Sequence, residues 1–271
     1  MLTKFAALAL TAVLCSGCIR SATLVKVKAD GSGTIEQTML VNLGLMKGMF
    51  AGLGGQTTTQ TSGTVDEADL KRAAERMGEG VTLVSATPVK EADGFAGSKA
   101  IFSFTDISKV RIDQDPNLSG ANTGGLSTPA KTSNPVSFAM SKGTDGESTL
   151  TVTVNDPPTV ATDKPAGGAA GGPDMANPQM LDMMKSMFQG FKIGIDVEVA
   201  GKILKTNADH VAGSRVTLLE MDLGALLQDE AKLREIQKVL GPTASIAELK
   251  PYLKDVKGLK VNDPVVTIAF R

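Results

Sequence analysis

Along most of the chain, apolar and polar residues alternate with the period of two that marks half-buried strands. Leu24-Val25-Lys26-Val27-Lys28 begins one such run, Asp30-Gly31 interrupts it, and residues 34–41 alternate back with Ile35, Met39 and Val41 on one face. Asp-Gly between two alternating runs is a strong hairpin signal, because both residues tolerate the positive φ of a tight turn. The dipeptide recurs at Asp93-Gly94, before a strand over residues 100–105, and at Asp145-Gly146, before one over 150–154. Later, Ile193, Ile195, Val197 and Val199 alternate, followed by Ile203-Leu204, residues 216–219 and a last strand at 265–270. The three turns predict a predominantly antiparallel sheet.

Helical spacing interleaves with these runs. Thr64-Val65-Asp66-Glu67 has capping-box spacing, and Leu70, Ala73, Ala74 and Met77 then share one face. Leu233, Ile236, Val239 and Leu240 precede the stop Gly241-Pro242, and Ser245-Ile246-Ala247-Glu248 repeats the capping pattern before Leu249 and Leu253. The predicted class is therefore α+β: hairpins forming the sheet, amphipathic helices packed on one of its faces. Residues 54–63, 113–134 and 156–173 are polar or rich in Gly and Pro, and read as linkers. The last of them either divides the body into two lobes or is a long insertion in one sheet. A single sheet is favoured, since either half alone offers few strands.

Two further helices are unusually apolar. Residues 42–54 contain Leu43, Leu45, Met46, Met49, Phe50 and Leu53, with Gly44, Gly48 and Gly52 at four-residue spacing that allows close backbone approach. Residues 177–190 carry Met180, Met183, Met184, Met187 and Phe188 on one side. Apolar stripes at helical spacing are most often core, which would lay both helices over the sheet. The functional reading is an adaptable apolar surface, because methionine is flexible and polarizable enough to suit changing ligands. Clustered thioethers can also bind Cu(I), but that chemistry would lack His and Cys co-ligands here, so no metal is expected.

Composition narrows the function classes. The 271 residues are 42% hydrophobic and 21% charged with a net charge of −1, which suits a folded body and argues against a disordered one. There is no basic excess to hold phosphates, and with no Trp and one Tyr (Tyr252) there is little to stack on bases or sugars. Nucleic acid is not an expected partner. His210 is the only histidine, so HExxH and multi-histidine metal sites are impossible. No GxSxG, P-loop or strand-following GxGxxG occurs, and Asp66-Glu67, Asp113/Asp115 and Asp229-Glu230 sit at helix starts or in linkers, where solvation or capping explains them. No catalytic residue and no cofactor are expected, and an enzyme ranks third among the function classes.

The amino terminus is the most specific segment. Lys4, an uninterrupted apolar run over residues 5–14 and the small pair Ser16-Gly17 read as a signal peptide spanning residues 1–17. Cys15-Ser16-Gly17-Cys18 resembles a bacterial lipobox, with Cys15 where Leu is commonest. That resemblance implies cleavage between Gly17 and Cys18, a diacylglyceryl group on the Cys18 thiol and acylation, with palmitate or a similar chain, of the new amino terminus. The lipid-anchored body would run from 18 to 271. Cys18 would be its only thiol, so no disulfide could form within it. Beyond residue 18 no stretch is long and apolar enough for a membrane span. Ile19, rather than Asp, follows the cysteine, which by resemblance to Gram-negative sorting signals implies the periplasmic face of the outer membrane in such a source. In a Gram-positive source the body would sit outside the plasma membrane.

Val25-Lys26-Val27 followed by Asp30-Gly31-Ser32-Gly33-Thr34 is similar to the LppM-type lipoprotein domain, where a post-anchor strand leads through an Asp-Gly turn into a returning strand. The likeness covers residues 18–45 and implies an α+β domain with lipid or glycolipid contact. It carries over no catalytic residue, and the C-terminal membrane span common in that family has no counterpart here. Together these readings predict a non-enzymatic envelope lipoprotein. It would touch the membrane through its N-terminal lipid and bind a lipid, an amphipathic ligand or an envelope protein. The alternative is a structural or assembly subunit of an envelope complex.

Overall fold

The computed structural model describes residues 19–42, 66–112, 136–143, 146–154, 182, 185, 188, 190–232 and 256–271. In chain order the first strands are β1 (Ile19–Val27), β2 (Gly33–Asn42), β3 (Thr82–Lys90), β4 (Phe95–Phe104), β5 (Arg111–Ile112) and β6 (Val136–Lys142). They are followed by β7 (Ser148–Val154), β8 (Lys192–Val199), β9 (Ile203–Thr206), β10 (Val211–Ala212), β11 (Arg215–Asp222), β12 (Leu259–Val261) and β13 (Val265–Phe270). Among the described residues there are also helix α1 (Glu67–Met77), a 3-10 turn at Ile107–Lys109 and the single-turn α2 (Leu223–Leu226), with residues 230–232 helical as well.

Asp30-Gly31 and Asp93-Gly94 turn the antiparallel hairpins β1–β2 and β3–β4. Gly146 lies between β6 and β7, which also pair antiparallel; Asp145 lies outside the described residues. Gly31 has φ +93°, a left-handed conformation that residues with a Cβ rarely adopt. The strands divide between two sheets. The larger has the order β10-β11-β8-β1-β2-β4-β3, with β12 also paired to β11, and the smaller has the order β5-β6-β7-β13-β9.

This corrects the α+β expectation. Strands make up 57% of the described residues and helices 15%, so the protein is mostly β, with sheets facing each other rather than helices layered on a sheet. The larger sheet is also mixed, because β1 and β8 pair in parallel from Arg20↔Lys192 to Val27↔Val199. Alternation announces a strand and its buried face but carries no information about the direction of its neighbour. Of the helix expected over 177–190, Asp182 and Lys185 are helical while Phe188 and Gly190 are not. Of that expected over 42–54, Asn42 is instead the last residue of β2, and residues 43–54 and 233–253 lie outside the described residues. Only α1 packs as predicted, with Leu70, Ala73, Ala74 and Met77 buried. Its cap is Asp66, whose side chain accepts from the Ala68 N–H at 3.1 Å, two residues later than the Thr64 capping box implies.

Register explains the core. On the inner face of the large sheet Leu83, Phe102, Ile35, Val25, Val197 and Val216 stand side by side across six strands. They meet Phe138, Leu150, Val152, Ile268 and Phe270 of the smaller sheet in one buried cluster, and α1 joins that cluster. Strands from both sides of residues 156–173 lie in each sheet, since β1 pairs with β8 and β7 with β13. At Gly97 the strands pass so closely that a Cβ would collide with the Met39 carbonyl. The outer face of the large sheet carries the charges.

Candidate functional site

Gly17 and Cys18, together with Met180, Met183, Met184 and Met187, lie outside the described residues. Phe188 is described: it is half-buried, and its ring meets Phe191 edge-on with centroids 6.4 Å apart. The structure is most informative immediately beside Cys18. Strand β1 starts at Ile19, and the next residue, Arg20, contacts four residues from two distant segments. Its guanidinium lies 3.8 Å above the centre of the Phe95 ring. It pairs with Glu91 and, at 2.7 Å, with Asp93, both in the β3–β4 turn. Its Nε donates to the Gly190 carbonyl at 3.3 Å.

The sheet register puts these pieces at one end of the molecule. Ile19 faces Val41 at the end of β2, and Arg20 faces Lys192 at the start of β8. Asn42 donates from its side chain to the Asp93 carbonyl at 3.3 Å. The turn at 188–191 is held in place from behind, by Phe191 N–H to the Phe188 carbonyl at 3.1 Å and Leu223 N–H to the Phe191 carbonyl at 3.2 Å. Both apolar sequences singled out above therefore join the body here. One continues from Asn42 and the other ends at Gly190, on either side of the strand that begins at Ile19.

The packing at this end departs from the alternation expected for β2. Ile35 is fully buried on the inner face, but toward the strand's end Leu40 and Asn42 are the buried residues, while Met39 and Val41 are half-exposed. Leu40 and Phe95 are each only 3% exposed although they lie on the outward side. Arg20 stacked on Phe95 gives that side a small core of its own, and its aliphatic stem adds apolar cover. Sequence reading missed Arg20 because its partners are about seventy and 170 residues away and no local spacing links them.

The remaining outer face is a solvated charge lattice. Glu36 lies between Lys26 and Lys99, the latter at 2.7 Å. Arg215 holds Glu198 at 2.7 Å, Lys260 holds Glu220 at 2.9 Å, and the Thr217 hydroxyl donates to Asp196 at 2.6 Å. Hydrogen bonds from Lys26 and then Lys99 lower the Glu36 pKa below the ordinary carboxylate value. A hydrogen bond from Lys260 lowers that of Glu220 against a smaller opposing effect of burial. For Asp93, burial acts upward but is outweighed by bonds from Arg20 and the Phe95 N–H, so its pKa also falls. Bonds from Ser32 lower Asp30. A general acid needs a carboxyl shifted the other way.

These shifts have a testable consequence. A carboxylate whose folded pKa is depressed adds stability above its unfolded pKa and loses it as pH falls through the folded value. Urea midpoints should be level between about pH 5 and 7 and drop below about pH 4, the unfolded carboxylate range. Glu36→Gln should flatten part of that drop. A midpoint unchanged down to about pH 3 would contradict the paired-carboxylate account.

Among the described residues, no three His, Cys, Asp or Glu side chains come together as a metal site requires. His210 enters the fold through its backbone, its carbonyl accepting from Thr217 N–H at 3.0 Å. No helix among the described residues is long and apolar enough to cross a membrane.

Neither a family model nor a curated protein matches the chain. Among solved structures it is similar to the NMR structure of the folded domain of the LppM protein of Mycobacterium tuberculosis, at 9% identity and a TM-score of 0.35. The likeness covers 94% of this chain and 91% of that one. Superposition of that degree supports no conclusion, and the functional reading rests on this chain's own residues.

Proposed function

We propose that this protein is a non-enzymatic lipoprotein of the cell envelope, tethered through Cys18. On this reading it binds an apolar or amphipathic ligand, or a partner protein, through Met180, Met183, Met184, Met187 and Phe188. The observation that carries the reading is the Arg20–Gly190 hydrogen bond. It ties Gly190, with which the methionine-rich sequence ends, to Arg20, the second residue after Cys18. In a Gram-negative source, Ile19 favours the outer membrane.

Native mass spectrometry of the full chain, released from detergent, tests the ligand. An acyl-bearing adduct beyond the lipid on Cys18 is expected, retained when Met183 and Met187 become Leu and lost when both become Asp. Wild-type protein without an adduct would remove the ligand reading. A stoichiometric crosslinked envelope partner found alongside that result would favour the assembly role.

A further inference from the structure

We infer that the end of the large sheet at which β1 starts is a membrane-facing surface, pressed against the lipid headgroups because the anchor has no spacer. The inference rests on the lipidation of Cys18 proposed above and adds to it an orientation and a working distance. A single peptide unit, about 3.8 Å between Cα atoms, separates Cys18 from Ile19. Ile19 is already paired with Val41, and Arg20 is paired on both sides, with Leu40 and with Lys192. The strand that receives the anchor is thus a central strand of an eight-stranded sheet, not a frayed terminus. A flexible tether would need a run of unpaired residues, and here pairing begins at once.

Arg20 makes this end suited to the position. Glu91 and Asp93 project from the β3–β4 turn beside the anchor, where unpaired carboxylates would be repelled by anionic lipid. The same guanidinium pairs with both and is itself braced by Phe95 and the Gly190 carbonyl. This end is therefore braced by one side chain, which offsets one of the two negative charges of Glu91 and Asp93.

The opposite end of β1 marks the far side. At about 3.3 Å per residue, the strand carries the chain roughly 26 Å away from the anchor. The turn at residues 28–32 then sends it back as β2, with Gly31 N–H donating to the Lys28 carbonyl at 3.0 Å. A body held in this way works at the surface of its own membrane. Its ligand or partner must come within the body's height of the bilayer, and the protein does not reach across a wider gap.

Fluorescence quenching on the lipidated full chain tests the orientation. A single cysteine at Ala92, exposed in the β3–β4 turn, or at Ala29, exposed in the far turn, carries the fluorophore, since the Cys18 sulfur is blocked by its thioether. The protein is reconstituted in phosphatidylethanolamine/phosphatidylglycerol vesicles bearing headgroup nitroxides. Quenching should be several-fold stronger at 92 than at 29. A Gly/Ser insert of about 20 residues between Cys18 and Ile19, with an r.m.s. reach of roughly 25 Å, should erase the difference. Equal quenching at both sites without the insert would overturn the orientation. A preference that survived the insert would overturn the role of the missing spacer. Failure of the unmodified protein to float with the vesicles would instead refute the anchor, and the orientation would fall with it.

Discussion

Phe102→Ala is expected to destabilise the body by about 3–5 kcal/mol, read as a shift in the urea or thermal midpoint. Phe102 is fully buried, and in register it stands between Ile35 and Leu83 on the face that meets the second sheet. Truncating it removes the ring's contacts and leaves a cavity that paired strands on both sides keep from collapsing. Ile101, next in sequence but on the half-exposed outer face, supplies the control, and Ile101→Ala should cost about 1 kcal/mol. Equal, small losses for both variants would contradict a core shared between the two sheets.

Cys18→Ser should have the largest effect on location. Without a thiol the diacylglyceryl group cannot be added, and cleavage after Gly17 in a lipobox follows that addition. Fractionation should then find an unlipidated precursor that still carries residues 1–17. One acyl chain gives only marginal membrane binding, whereas the lipobox resemblance implies several on one residue. A Cys18→Ser chain that was processed normally and stayed with the membrane at wild-type levels would contradict the anchor.

The hairpins were legible because their signals are local. At 30–31, 93–94 and 145–146 the dipeptide and the flanking alternation state turn and strands within a dozen residues. The inner face of the large sheet was legible for the same reason, since Val25, Ile35 and Val197 each sit in an alternating run. The partnering of strands was not legible. Nothing near Arg20 announces that β1 runs parallel to β8 some 170 residues later. The balance of strand and helix was misjudged because apolar stripes at 42–54 and 177–190 weighed heavily in the pattern, whereas the described residues close their core sheet against sheet. Leu40 shows the limit of a period-two rule: it is 3% exposed on the outward face, where its cross-strand partners are Arg20 and Gly97. For the site, four consecutive residues are enough to propose Cys18, which lies outside the described residues. The clamp beside it needed three-dimensional register.

The central claim is that Cys18 is the first residue of the mature protein and its attachment to the membrane. Mass spectrometry of the N-terminal peptide from membrane-extracted protein tests it most directly. The account predicts a peptide beginning at Cys18 whose mass includes a diacylglyceryl group and, where the source acylates the new terminus, one further acyl chain. A peptide that retains residues 1–17, or one that begins at an unmodified Cys18, would contradict it.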